Sequence, residues 1–310
     1  MKNLAATGTN WISLMFEVWQ ETIASTEVAR NQFATASDSA LRRMIDLAHS
    51  LGMRVMLNPV VMLSQDPTHG HVQIGTAFTT EEQWQAWFAS YRQIIIYYAT
   101  LSQDAGADIF YIGNELRGTV HREADWRSIA QEVRQVYKGP IIYEATTLLN
   151  ASLSSLGEDL QITWWDAVDY IGVLGYFPLT QSNNPTVEEL KSAWVANGYL
   201  SRLESLSQKF QRPIIISEIG YLSADGTSTG SVPFSKFAQA QIDQQEQADC
   251  YQAALEVLWG KPWLAGIFWF QWFVNPNEPT PIGKDRNESP QGKLAEEVLR
   301  KFYLTEGKPK

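Results

Sequence analysis

The sequence predicts a parallel α/β barrel of the (β/α)8 type, with the first β-strand and most of the first helix missing from its N-terminus. Three observations lead there. Asp108-Ile109-Phe110-Tyr111-Ile112-Gly113-Asn114-Glu115-Leu116 is an apolar, β-branched and aromatic run that stops abruptly at Asn-Glu. It reads as a strand buried on both faces with a carboxylate at its C-terminal mouth. Pro213-Ile214-Ile215-Ile216-Ser217-Glu218-Ile219-Gly220-Tyr221 repeats the design. Around these two, apolar runs alternate with amphipathic segments through a chain of 310 residues, the size of one such barrel, so a single domain over 1–310 is expected.

In order, Leu4-Ala5-Ala6-Thr7-Gly8 reads as the last turn of a helix closed by glycine, and Trp11 to Phe16 as a strand. Asp38 to Leu51 places Leu41, Met44, Ile45, Ala48 and Leu51 on one helical face, and Met53 to Asn58 is the next strand. Thr79-Thr80-Glu81-Glu82 supplies a capping box for a long helix in which Trp84, Trp87, Phe88, Tyr91, Ile95 and Tyr98 keep helical spacing up to Gly106. After the Glu115 strand come a helix marked by Trp126, Ile129, Val133 and Tyr137, a strand from Ile141, a helical piece from Trp164 and a strand Tyr170 to Leu174. Thr186 with Glu189 caps one helix carrying Leu190, Trp194, Leu203, Leu206 and Phe210. The Glu218 strand, a polar loop Leu222 to Phe237, a helix around Tyr251, a strand Leu264 to Trp272 and a helix through Leu294 to Phe302 complete the chain.

That makes seven strands. An open barrel would expose two long hydrophobic edges, so a start upstream of Met1 is the expectation, against the alternative that Met1 to Ala6 or the C-terminal tail fills the gap.

Composition narrows the function. A net charge of −10 and a pI near 5.0 leave no basic stripe to neutralise phosphates, so neither nucleic acid nor an anionic membrane is an expected partner. No apolar run reaches the ~20 residues of a membrane span, and the N-terminus lacks a secretory signal, so the expected location is cytoplasmic and the expected state a monomer. The lone Cys250 excludes an internal disulfide and suits a buried small hydrophobe. Twelve tryptophans suit a sugar binder, although most of them must be core.

Glu115 and Glu218 are roughly two βα units apart and can face each other across the C-terminal end of a barrel. Two facing carboxyls are what glycoside hydrolysis requires. Each alone has a plainer role, as a helix cap or half of an ion pair. His69 and His71 form an H-x-H without an apparent third ligand, and no Ser-His-Asp set or phosphate loop is present, so neither a metal nor another cofactor is expected. Glu144 ends its strand either as a structural group or at the pocket rim.

Four strand-end motifs now identify a relationship: Tyr111-Ile112-Gly113-Asn114-Glu115-Leu116, Asp169-Tyr170-Ile171-Gly172 with Tyr176-Phe177-Pro178-Leu179, Ser217-Glu218-Ile219-Gly220-Tyr221, and Gly266-Ile267-Phe268-Trp269-Phe270-Gln271-Trp272-Phe273. In this order they resemble clan A glycoside hydrolases, most closely family 113, whose known members are β-mannanases. The resemblance implies a retaining hydrolase of β-1,4-mannosidic bonds acting on a β-linked oligo- or polysaccharide. Glu115 would be the general acid/base, Glu218 the nucleophile, Asn114 the partner of the sugar 2-OH and Tyr176 the residue that holds the nucleophile. Trp269 and Trp272 match the aromatic strand beneath the sugar, with strand alternation turning one of them to the pocket. Trp19, followed by Gln20, stands where the family places substrate contacts. Asn58-Pro59-Val60 replaces the usual Lys-Pro-His, and Leu174 a usually polar position. The alternatives are a clan A enzyme for gluco- or galacto-configured substrates and a non-catalytic carbohydrate-binding barrel.

Overall fold

A computed structural model describes residues 1–66, 70–147, 157–182, 184–230, 240–273 and 285–305. In chain order the elements are α1 (Lys2–Ala5), β1 (Trp11–Gln20), α2 (Asp38–Ser50), β2 (Arg54–Leu63), α3 (Glu81–Ala105), β3 (Ile109–Asn114), α4 (Glu123–Val136), β4 (Ile141–Ala145), α5 (Glu158–Gln161), β5 (Tyr170–Leu174), α6 (Val187–Ala196), α7 (Tyr199–Phe210), β6 (Ile214–Ile219), α8 (Gln244–Leu258), β7 (Leu264–Trp269) and α9 (Leu294–Thr305). The seven expected strands are all present. Gly8, at φ 92°, lies just past α1 as the glycine signal implied.

Two compact units divide the chain: Trp11–Val173 with Phe210–Pro213, and Met1–Asn10 with Leu174–Lys209 and Ile214–Lys310. In the first, parallel pairs run β1-β2, β2-β3, β3-β4 and β4-β5. β1 and β2 are longer than expected and stay in register from Trp11↔Arg54 to Gln20↔Leu63. Trp19 and Gln20 therefore end β1 instead of following it. Pro59 does not stop β2, because β2 pairs with β3 only through Met56 and Leu57; beyond them the missing N–H breaks no β2–β3 ladder bond.

Two helices of this unit, α2 and α3, carry side-chain caps, the box of α3 one residue later than the expected Thr79-to-Glu82 stretch. Ser37 accepts from the Ala40 amide and Thr80 forms a capping box with Gln83. Their buried faces are aromatic: Trp87 stacks on Tyr91 with centroids 4.9 Å apart, and Trp126 on Trp164 at 5.1 Å. Trp84, Trp87, Trp126, Trp164, Trp165, Trp194 and Trp263 are buried, so most of the tryptophan is core.

Where β3 meets β4 the register slips between Tyr111↔Ile142 and Gly113↔Tyr143, leaving Ile112 as the extra residue of a β-bulge. Bulges re-aim the side chains that follow them. Tyr91 holds this one by donating its hydroxyl to the Ile112 carbonyl at 2.9 Å. Gly113 is required by close approach, since a Cβ there would lie 2.8 Å from Trp126 and 2.9 Å from both Tyr143 and the Tyr91 hydroxyl.

In the second unit β6 and β7 pair in parallel. β6 carries a bulge of its own, because Ile216↔Ile267 is followed by Ile219↔Trp269, so each glutamate strand slips by a residue at or before its carboxylate. Two expectations are corrected here. The single helix from Leu190 to Phe210 is two, α6 and α7, broken at Asn197-Gly198 with Gly198 at φ 76°, a left-handed position that a helix interior cannot hold. β7 ends at Trp269 instead of Trp272. Among the described residues, no helix is long and apolar enough to cross a membrane.

Gly113→Ala should destabilise the fold by about 1–3 kcal/mol, the range for overpacking a filled site. Chemical denaturation with an unchanged midpoint would show that the aromatic cluster yields to the methyl group.

Candidate active site

Candidate site residues stand in both units. In the first, β3 delivers Asn114 and then Glu115. Asn114 is 2% exposed, and its side-chain amide donates to the Asn58 side-chain oxygen at 3.3 Å. Asn58, the residue at which the sequence departs from the family pattern, therefore orients Asn114. Glu115 keeps 21% of its side chain exposed, with His71 Nε2 3.2 Å from its Oε2. His71 is buried on a 3₁₀ turn, Gly70–Gln73, so half of the H-x-H lies at the acid/base candidate; His69 lies outside the described residues.

The backbone around Glu115 is unusual. Its φ is 49°, in the left-handed region that non-glycine residues rarely occupy. Its amide donates to the Glu144 carbonyl at 2.9 Å, and the next amide, of Leu116, donates to the Tyr143 hydroxyl at 3.0 Å. Glu144 is itself buried and sits opposite Asn114 in the ladder. Behind Tyr143 lies Glu158, which had no signal in the sequence: it is a polar residue on a four-residue helix without periodicity. It accepts from Tyr143 Oη at 2.5 Å and from the Thr146 amide and hydroxyl at 2.9 and 3.1 Å. Burial pushes its carboxyl up to about 8, against those hydrogen bonds, which favour the charged form.

In the second unit, Glu218 near the end of β6 accepts from Tyr176 Oη at 2.8 Å, and its carbonyl accepts from the Gly175 amide at 2.7 Å. Burial, then the charge of Glu218, holds the Tyr176 phenol well above its ordinary value, so it remains a donor. Glu288, also unforeseen, packs against Gly220, where a Cβ would lie 3.2 Å from its own Cβ. Burial pushes the Glu288 carboxyl up to about 7. Trp269 donates its indole N–H to Tyr303 at 3.0 Å and stacks on Tyr251 at 3.9 Å, contacts with α9 and α8. Trp272 is half-buried beyond the strand. At the end of β1, in the first unit, Trp19 has a buried indole N–H with no hydrogen-bond partner among the described residues.

The family model of Glycoside Hydrolase Family 113 matches residues 1–293. The chain belongs to that family. It is therefore a glycoside hydrolase of clan A with a (β/α)8-type fold, acting on glycan substrates. Among solved structures it is similar to a GH113 β-1,4-mannanase at 25% identity and a TM-score of 0.80, covering 98% of this chain and 91% of that one. The GH113 β-mannanase AaManA from Alicyclobacillus acidocaldarius, in complex with ManMIm, matches at 25% identity and 0.79, covering 98% and 89%. A β-D-glucuronidase for Dictyoglomus thermophilum shares the fold at 14% identity and 0.60, covering 98% of this chain and 46% of that one. No curated protein matches the sequence.

Among the described residues, the side chains close enough to share a cation are Asp225, Asp243 and Glu246. Glu246 is already occupied by the Gly226 and Ser228 amides and the Ser228 hydroxyl.

The raised carboxyls set a direction for stability. From the ordinary value of 4.5 up to about 7 for Glu288 and about 8 for Glu158, the folded chain holds protons that the unfolded chain has released. Stability accordingly falls as pH rises through that window. Glu158→Gln should show a smaller fall in melting temperature between about pH 5 and about pH 8 than the parent; an equal fall would mean that Glu158 ionises in the fold without cost.

Proposed function

We propose that the chain hydrolyses β-1,4-mannosidic bonds with retention, as one barrel domain in which Glu115 and Glu218 act on the same sugar. The observation that carries this reading is the Tyr176–Glu218 hydrogen bond of 2.8 Å, made within the motif where the resemblance expects the nucleophile to be held. A phenol donor favours the ionised carboxylate, the form that attacks carbon.

In the retaining reaction the two carboxyls stand about 5–5.5 Å apart. Glu218 attacks the anomeric carbon as the glycosidic C–O bond breaks, and Glu115 gives its proton to the departing oxygen. The glycosyl ester is then cleaved by water, which loses a proton to Glu115, and both groups return to their starting states. Asn114, oriented by Asn58, would bond the 2-OH of the sugar. Trp272 would be the aromatic floor, since Trp269 is engaged by Tyr251 and Tyr303. The Trp19 N–H, without a partner among the described residues, suits a sugar hydroxyl. The substrate is β-mannan or glucomannan, the bond that the similar β-mannanases are named for, and the enzyme acts as a monomer without a cofactor.

Reducing-sugar release from β-mannan, glucomannan, cellulose and galactan tests the substrate, with Glu218→Ala as control. Turnover should be highest on the mannans and should fall by at least ~10³-fold, about 4 kcal/mol of barrier, in the control. Preferential release from cellulose or galactan would move the substrate class, and comparable turnover in Glu218→Ala would remove the nucleophile. Glu115→Ala should lose kcat/KM on mannan yet keep most of its kcat/KM on aryl β-mannosides, whose transfer to Glu218 needs no acid; equal loss of kcat/KM on both would remove Glu115 from that role.

A further inference from the structure

Glu115 carries its carboxyl on a left-handed backbone, φ 49°. Such a conformation is retained only where the surroundings fix it. Here both peptide planes that flank its Cα are held from the β4 side: the Glu115 amide by the Glu144 carbonyl at 2.9 Å, and the Leu116 amide by the Tyr143 hydroxyl at 3.0 Å. With both planes fixed, the direction of the Glu115 Cα–Cβ bond is fixed too.

The first hold is ordinary backbone pairing. The second depends on one phenol oxygen turning its lone pair toward Leu116. Tyr143 can do so because its proton is directed away, to Glu158 Oε1 at 2.5 Å. Glu158 is anchored through its other oxygen by the Thr146 amide and hydroxyl. The Tyr143 ring cannot swing, being packed against Trp126, Trp164 and Trp165 at centroid distances of 5.1, 5.0 and 6.0 Å.

Glu158 is fully buried, and a carboxyl in that position is costly unless its hydrogen-bonding capacity is used. Among the described residues, the groups that use it are two hydroxyls and an amide, none of them a cation, so no ion pair among them explains its presence. The shortest contact leads through Tyr143 to the peptide bond of Glu115.

We propose that Tyr143 and Glu158 are positioning residues for the acid/base: Glu158 orients the Tyr143 hydroxyl, which pins the Glu115–Leu116 peptide and aims the Glu115 carboxyl at the leaving-group oxygen. This rests on the reading of Glu115 as acid/base. Neither residue touches substrate; both act through the backbone. In the first step, misaiming Glu115 slows glycosidic cleavage only for a leaving group that needs a proton, and that selectivity in kcat/KM distinguishes this role from general support of the fold.

The test compares mannotetraose, whose leaving group needs protonation, with 2,4-dinitrophenyl β-mannobioside, whose leaving group does not, using the 310-residue chain and its Tyr143→Phe, Glu158→Gln and Glu115→Ala variants. Tyr143→Phe removes one oxygen atom and keeps the ring packing, so it serves where Glu158→Gln does not fold. On mannotetraose, kcat should fall about 10- to 100-fold in both positioning variants, part of the roughly 10²–10⁴-fold contribution of a general acid, with KM nearly unchanged. On the dinitrophenyl substrate kcat/KM, which reports the first step and needs no acid, should stay within about threefold of the parent. Equal losses on the two substrates, or no loss on either, in variants that unfold at the parent temperature would overturn the proposal. If Glu115→Ala shows the selective loss and these variants do not, the positioning role alone falls; if Glu115→Ala lacks it, the acid/base reading falls first.

Discussion

The constraint on which the placement of the Glu115 carboxyl depends is its own backbone. A residue at φ 49° costs about 1–3 kcal/mol relative to ordinary conformations. That cost is offset by hydrogen bonds to two consecutive amides from β4 and the side chains behind it. The preceding bulge at Ile112, held by Tyr91, and the bare Cα of Gly113 let the chain arrive at that geometry. The tryptophan-rich layer under β3 and β4 follows from the same requirement, because large stiff rings are what keep Tyr91 and Tyr143 in place. The stacked pair Trp126–Trp164 touches Tyr143 from both rings.

Much of this was legible in the sequence. Both glutamate strands were marked by apolar runs ending in a carboxylate, and the helices by their period and by Thr80 and Thr186, whose capping boxes form. The Tyr176–Glu218 contact follows the family resemblance. Other features depend on where pairing stops, which local sequence does not encode. Pro59 reads as the end of β2, yet its strand continues because the β3 ladder has already ended. The helix break at Asn197-Gly198 hides inside an apolar period that continues across it, since Leu190, Trp194, Leu203 and Leu206 are all buried.

The polar network was the least legible part. Glu158 and His71 stand in stretches without periodicity, and their partners, Tyr143 and Glu115, lie 15 and 44 residues away. No spacing rule links such pairs. Asn58 shows the opposite case: it stands where the family pattern is not kept, and its side chain accepts a hydrogen bond from Asn114.

In the proposed reaction Glu218 bonds covalently to the sugar during turnover. The most direct test is incubation with an activated 2-deoxy-2-fluoro-β-mannosyl fluoride, which slows breakdown of a glycosyl ester, followed by intact-mass measurement and peptide mapping. One added 2-fluoromannosyl group per chain, located on Glu218, is the expected result. A label on another carboxylate, or inactivation without an adduct, would contradict the account.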